Sequence, residues 1–130
     1  MPFGTATVLT NGGKGLTATQ VNGTTATPPK FIGIGTGATT AARTAAAADT
    51  ALSTEVETRA TGTNTTVTTT VANDTFQTVG TITATAGRAV DEAGLFTAST
   101  AGTMAVSATF PVVNLLTGDS IQITGKIQYT

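Results

Sequence analysis

A chain of 130 residues is long enough for one domain with a modest core and too short for two comfortable ones. With 10% charged residues and a formal net charge of -1 it carries no basic field for nucleic acid and no polybasic patch for a membrane surface. The absence of cysteine and histidine excludes disulfides and all but excludes a structural zinc site.

Hydrophobic residues make up 39% of the chain but aromatic ones only 5%, and much of the rest is alanine. Alanine buries little area at roughly 25 cal/mol per Å², so the monomer core is expected to be thin. Backbone ordering costs about 1 to 2 kcal/mol per residue, and with disulfides and zinc set aside, oligomerisation is the staple that remains. The opening Met1-Pro-Phe-Gly-Thr-Ala-Thr-Val-Leu9 has no charged region followed by a long apolar run, so no signal peptide is expected, and no window approaches a membrane span.

Residues 1–29 read as an extended N-terminal arm, interrupted by Gly12, Gly13, Gly15 and Gly23 and closed by Pro28-Pro29. Its apolar residues, Phe3, Val8, Leu9, Leu16 and Val21, suit two short strands around an Asn11-Gly12-Gly13 turn or contacts on another subunit, and a flexible tail is the alternative. Lys30 to Gly37 is an apolar run entering a glycine-rich turn. Gly33, Gly35 and Gly37 lack both the third-glycine spacing of a dinucleotide loop and a following Gly-Lys-Ser/Thr, so the glycines point to a strand end that needs positive φ or close packing.

The stretch Ala41 to Ala60 is the one place where a helix is expected. Alanine favours it, Asp49 could cap a turn, and Leu52 and Val56 are spaced i, i+4, which predicts one or two turns over Thr50 to Val56. Thr65 to Ala72 and Thr75 to Ala84 then alternate around Asn73-Asp74 as a hairpin. Ala89 to Ala98 is a strand in which Asp91 and Glu92 interrupt apolar residues. Met104, Val106, Ala108 and Phe110 share a parity in the next strand, which Pro111 stops or bends. The last stretch, Asp119 to Thr130, has the clearest period of two, with Ile121, Ile123, Ile127 and Tyr129 on one side. Seven to nine short strands with frequent turns predict an all-β chain: a single antiparallel sandwich or jelly-roll-like domain over residues 30–130, with at most one short helix.

Chemistry is hard to place. Seven carboxylates are present, but a sugar cleft would normally add aromatic stacking platforms, and the chain has one tyrosine, five phenylalanines and no tryptophan. Asp91 and Glu92, adjacent on a strand, point to opposite faces and cannot share a metal as a simple pair, and no calcium-loop pattern appears. A serine or threonine nucleophile would need a lysine base, and Lys14, Lys30 and Lys126 have no such context. The expectation is a protein with no catalytic residues, cofactor or metal. An inward carboxylate is retained only when paired, and Arg59 and Arg88 are the candidate partners, which suggests Glu92 with Arg59 at a sheet or subunit boundary; the alternative is that both acids sit on an exposed edge and deter aggregation.

The succession Lys30-Phe-Ile-Gly-Ile-Gly-Thr-Gly37, Asp49-Thr-Ala-Leu-Ser-Thr-Glu-Val-Glu-Thr-Arg59, Glu92-Ala-Gly-Leu-Phe96 and Gly118-Asp-Ser-Ile-Gln-Ile-Thr124 resembles small virion proteins of tailed bacteriophages, most of all head decoration (cement) proteins, over about Lys30 to Tyr129. That resemblance implies a homotrimer on the capsid surface that binds the major capsid protein and stabilises the shell, in a virion assembled in the host cytoplasm, with neither nucleic acid nor membrane as partner. Phe3, Val8, Leu9 and Leu16 would be the anchors of an inserting arm. Similar sequences are also labelled as tail components, so a tail-fibre or baseplate module contacting the host surface is the alternative. A bacterial adhesin-like domain would need an export signal, which the opening residues do not resemble.

Overall fold

A computed structural model describes residues 6–130. In chain order the elements are β1 (Ala6–Leu9), α1 (Asn11–Val21), β2 (Phe31–Gly35), β3 (Glu55–Thr61), β4 (Thr63–Val67), β5 (Thr75–Thr83), β6 (Arg88–Phe96), β7 (Met104–Leu115) and β8 (Ser120–Gln128). They form two antiparallel sheets, one ordered β1-β7-β6-β2-β3 and the other β4-β5-β8. The chain is therefore all-β with one short helix. The sheets face each other across a core of Ile32, Ile34, Val90, Leu95 and Val106 from the larger and Ile82, Ile121 and Ile123 from the smaller, all 6% exposed or less. This is the face-to-face stacking of two sheets around one apolar core.

The β4–β5 hairpin and β8 follow the alternation expected of them. Thr63 to Val67 pairs with Val79 to Thr75, and β5 pairs along its whole length with β8. In the hairpin loop Asp74 accepts the backbone N–H groups of Thr69, Thr70 and Val71 at 2.8, 2.8 and 3.0 Å, which closes the turn. Gly62 separates β3 from β4 and lets the chain pass from one sheet to the other: a Cβ there would lie 2.4 Å from the Thr78 methyl.

Three expectations fail for physical reasons. First, residues 6–21 of the expected arm belong to the body of the fold. Val8 and Leu9 pair in β1 with Ser107 and Val106 of β7, and Asn11-Gly12-Gly13 opens a helix. Three glycines cost a helix about 1 kcal/mol each against alanine, so α1 depends on tertiary contacts. Thr10 supplies them: its hydroxyl accepts the Gly13 N–H at 3.0 Å and donates to the Met104 carbonyl, while the Asn11 N–H donates to Ala47 at 2.7 Å. At Gly13 a Cβ would lie 2.3 Å from the Ala105 carbonyl oxygen, so only glycine lets the helix start lie on the β7 backbone.

Second, no helix forms over Thr50 to Val56. Residues 36–54 run as an irregular strap across the outer face of the larger sheet, and β3 begins at Glu55. The alanine run has helix propensity but no apolar stripe to bury, and side chains of the sheet capture its backbone N–H groups instead.

Third, the faces of β6 and β7 do not keep strict period two. Between Val90↔Val113 and Glu92↔Thr109 the register slips, so that Asp91 alone faces Phe110, Pro111 and Val112. Pro111 bends the strand by sitting in this irregularity, where no ladder N–H is needed. A second slip between Leu95 and Phe96 turns Met104 away from Val106: Val106 joins the inter-sheet core, while Met104 joins Phe96 and Leu52 beneath the strap.

Candidate functional site

Two places collect the side chains that sequence reasoning singled out: the polar layer under the strap and the groove beside α1. In the polar layer, Glu92 is fully buried on the outer face of β6. Its carboxylate accepts the Thr54 N–H at 2.9 Å and the Ser53 N–H at 3.1 Å, and it pairs with Arg43 Nη1 at 2.6 Å. Gly35, its neighbour on β2, makes the room, since a Cβ there would lie 2.4 Å from Glu92 Oε1. The glycine-rich run of β2 thus serves close packing, one of its two expected readings.

Arg43 reaches on with Nη2 to Asp49 Oδ2 at 2.6 Å and to the Ser107 hydroxyl at 2.7 Å, and Ser107 donates to Asp49 at 2.6 Å. Asp91, turned by the irregularity beside it, accepts the Ala38 and Thr39 N–H groups at 3.0 and 2.7 Å. Burial is the largest influence on Asp49 and Asp91 and raises both pKa values. Hydrogen bonds outweigh it, from Ser107, Ala46 and Arg43 at Asp49 and from Thr39 and Ala38 at Asp91, and both groups end below the ordinary carboxylate value. Both acids are ionised structural acceptors at neutral pH. The strap is held by charge-assisted bonds along its length.

The expected partner of Glu92 was Arg59, and the structure places them apart. Glu92 lies at the level of Gly35, whereas Arg59 sits over the Phe96 ring, 3.4 Å from its centroid, toward the Phe31 end of β2. Arg59 instead forks onto Glu55 at 2.6 and 2.9 Å and donates to the carbonyls of Ala98 and Ala101 at 2.9 and 2.7 Å. Arg88 holds Glu57 at 2.7 Å. The Arg88 hydrogen bond, with one from Thr85, lowers the Glu57 pKa. Both acids of the Asp91-Glu92 pair are buried, so the exposed-edge alternative is also set aside.

Sequence reasoning missed Arg43 and Ser107. The available signal was scarcity: Arg43 and Asp49 are the only charges in the alanine- and threonine-rich run from Ala38 to Leu52, and an isolated pair of opposite charges in such a stretch asks for a partner.

The second place is a largely apolar groove of about 320 Å³ between α1, the Pro28-Pro29 segment and the ends of β5 and β8. Leu16, Val21, Phe76, Ile127 and Tyr129 line it. Val21 is 84% exposed and Tyr129 48%, so the groove is open, and its rim is bridged by a 3.0 Å hydrogen bond between the hydroxyls of Thr17 and Tyr129. Of the four expected anchors, Leu16 is a wall of this groove, Leu9 packs on the inter-sheet core, and Val8 is half-buried opposite Ser107. Phe3 lies outside the described residues.

What this arrangement can do is hold and dock. Each of the seven carboxylates accepts hydrogen bonds that fix a loop or an arginine, Asp119 through the Leu116 N–H at 2.8 Å, and all three arginines are paired. Among the described residues no group of three or more His, Cys, Asp or Glu side chains could hold a metal ion, and no helix is long and apolar enough to cross a membrane. Comparisons with protein-family models, curated proteins and solved structures gave no match.

Proposed function

We propose that the protein is a structural subunit of a tailed-phage virion that decorates the outer surface of the head as a homo-oligomer, a trimer in the simplest symmetric arrangement, and stabilises the shell by binding the major capsid protein. The observation that carries this reading is the use of charge. Ten charge-bearing side chains, the seven acids and three arginines, are engaged within the chain, where most of them hold loops to the sheets. A protein whose charged groups are committed to rigidity, and whose groove beside α1 is largely apolar, is suited to mechanical work. The four sheet edges, β1 and β3 in one sheet and β4 and β8 in the other, add backbone donors and acceptors to which a neighbouring chain can bind. The resemblance of the glycine-rich β2 run, the Asp49 to Arg59 segment and the Glu92 to Phe96 strand to decoration proteins gives these surfaces a partner.

The test is to mix the purified protein with expanded heads that lack it, sediment them and count bound copies. Saturation at hundreds of copies per shell, with a higher temperature of DNA release, is the expected result. Absence from heads together with a few symmetric copies on isolated tails would overturn it in favour of the tail-fibre or baseplate role.

A further inference from the structure

Among the described residues five large apolar side chains stand exposed: Val21 and Tyr129 on the groove beside α1, Val71 on the hairpin loop, and Val112 and Leu116 toward the end of β7. Leu116, at 73% exposure, is second only to Val21, and the turn that carries it is firmly held. Asp119 accepts the Leu116 N–H at 2.8 Å and returns its own N–H to the Leu116 carbonyl at 3.0 Å. Ala84 accepts the Gly118 N–H and donates to the Asp119 carbonyl, both at 2.8 Å. The turn is an apolar knob, ordered before it meets anything, with an exposed acid beside it.

The groove is the complement of this knob in both apolarity and charge. Leu16, Phe76 and Ile127 give it apolar walls. The three lysines, which make no ion pair among the described residues, are exposed, and each stands in the chain beside a residue that lines the groove: Lys14 follows Gly13, Lys30 follows Pro29 and Lys126 precedes Ile127. Asp74, the acid nearest in sequence to a wall, is turned into its own loop, where it accepts the N–H groups of Thr69, Thr70 and Val71. Knob and groove lie off opposite ends of β8, whose first and last residues, Ser120 and Gln128, are about 26 Å apart at about 3.3 Å per step. A chain's own Leu116 therefore cannot enter its own groove, and the occupant is a second copy.

We infer that Leu116 of one copy seats in the α1 groove of the next, with Asp119 toward the lysines of that groove. The contact removes Leu116, Val21 and Tyr129, three of the five exposed large apolar side chains, from water, and the opposite charges set its orientation. It joins two different surfaces, so it is heterologous and passes head to tail from copy to copy, closing where the rotation makes a ring. This rests on the reading of the protein as a homo-oligomer and supplies the contact that would make it one.

The cysteine-free sequence makes the test clean. Thr117→Cys, on the knob, and Val21→Cys, on the groove rim, are made singly, mixed in equal amounts and treated with a short bismaleimide. The expected product is a linked pair of one T117C and one V21C chain, dominant over either self-linked pair. Leu116→Ser in the T117C chain should reduce it at least about tenfold, the loss that follows from leaving a leucine side chain unburied. Lys14→Glu, Lys30→Glu and Lys126→Glu together in the V21C chain should also reduce it, and Val71→Ser should leave it unchanged. Leu116 and Val71 are both exposed, so neither substitution disturbs the fold, which circular dichroism checks. Tyr129 is the one tyrosine and there is no tryptophan, so tyrosine emission reports the groove directly and should differ between the wild type and Leu116→Ser. Linked products in no more than random proportion, a link indifferent to Leu116→Ser or to the lysine reversals, or equal tyrosine emission overturns the inference. Head binding is scored separately. Random cross-linking with heads still saturated by the protein would sink the Leu116 contact alone, whereas a Leu116-dependent link in a protein that ignores heads would sink the decoration role alone.

Discussion

Replacing Glu92 tests the claim that the strap is held by buried charge. Glu92→Ala removes the acceptor of the Ser53 and Thr54 N–H groups and one of the two acidic partners of Arg43. Removing one partner of a buried pair costs about 3 to 5 kcal/mol. Arg43 keeps Asp49 and Ser107, which places the expected loss near the lower end, about 3 kcal/mol. With a urea m-value of about 1.5 kcal/mol/M for a chain of this size, the midpoint falls by about 2 M at fixed protein concentration, with m unchanged. Glu92→Gln keeps the volume and one carbonyl acceptor and should lose about 1 to 2 kcal/mol, because hydrogen bonds to a charged group exceed neutral ones by roughly that much in sum. Arg43→Met in the Glu92→Gln background should cost at least about 1 kcal/mol less than in the wild type, since the two residues share a bond. Hydrogen exchange at the Ser53 and Thr54 amides provides the local readout. A midpoint shift below about 0.5 M for Glu92→Ala, with those two amides still protected, would refute the account.

Two further predictions concern α1 and acid. Gly13→Ala should destabilise by about 1 to 3 kcal/mol through overpacking against the Ala105 carbonyl and the Leu9 side chain, whereas Gly15→Ala, whose Cβ meets nothing within 4 Å, should stabilise by about 0.5 to 1 kcal/mol; paired thermal melts decide both. The pKa values of Asp49, Glu57, Asp74 and Asp91 are lowered in the folded chain, that of Asp74 chiefly by the Val71 N–H and well below the ordinary range. A depressed folded value means stability that is present above the unfolded pKa of about 4 and is lost as pH falls through the folded values. Urea midpoints should therefore be level from about pH 8 to 5 and decline below about pH 4, and Asp91→Asn should lower the plateau and flatten the decline.

How far the sequence announces this fold depends on whether the deciding contact is local. In β8 the alternation of Ile121, Gln122, Ile123 and Thr124 is written by one buried face, and in the β4–β5 hairpin the turn chemistry of Asn73-Asp74 sits between its own strands, so both are legible. Gly12 and Gly13 look like a turn because the reason for them, the backbone of β7 passing within contact of the helix start, lies about 90 residues away. Period two assigns Asp91 and Glu92 to opposite faces; the irregularity opposite Pro111 and the covering strap bury both. The Glu92–Arg59 guess had the right requirement, a buried carboxylate with a cation, but composition cannot say which arginine a crossing loop will deliver. The groove is not legible: the sequence places Leu16 in an extended arm and Tyr129 on a buried strand face, whereas Leu16 is a wall of the groove and Tyr129 shares its rim with Thr17.

The pairing of β1 with β7 also sets an order of events during synthesis. Ala6 emerges from the ribosome about 100 residues before Thr109, which at roughly 5 to 20 residues per second is a delay of about 5 to 20 s. Through that interval the first strand has no partner of its own, although the β4–β5 hairpin can close as soon as it is made. The same applies to α1, whose capping carbonyl belongs to Met104. The earliest segment is thus the one that waits longest for its partner strand.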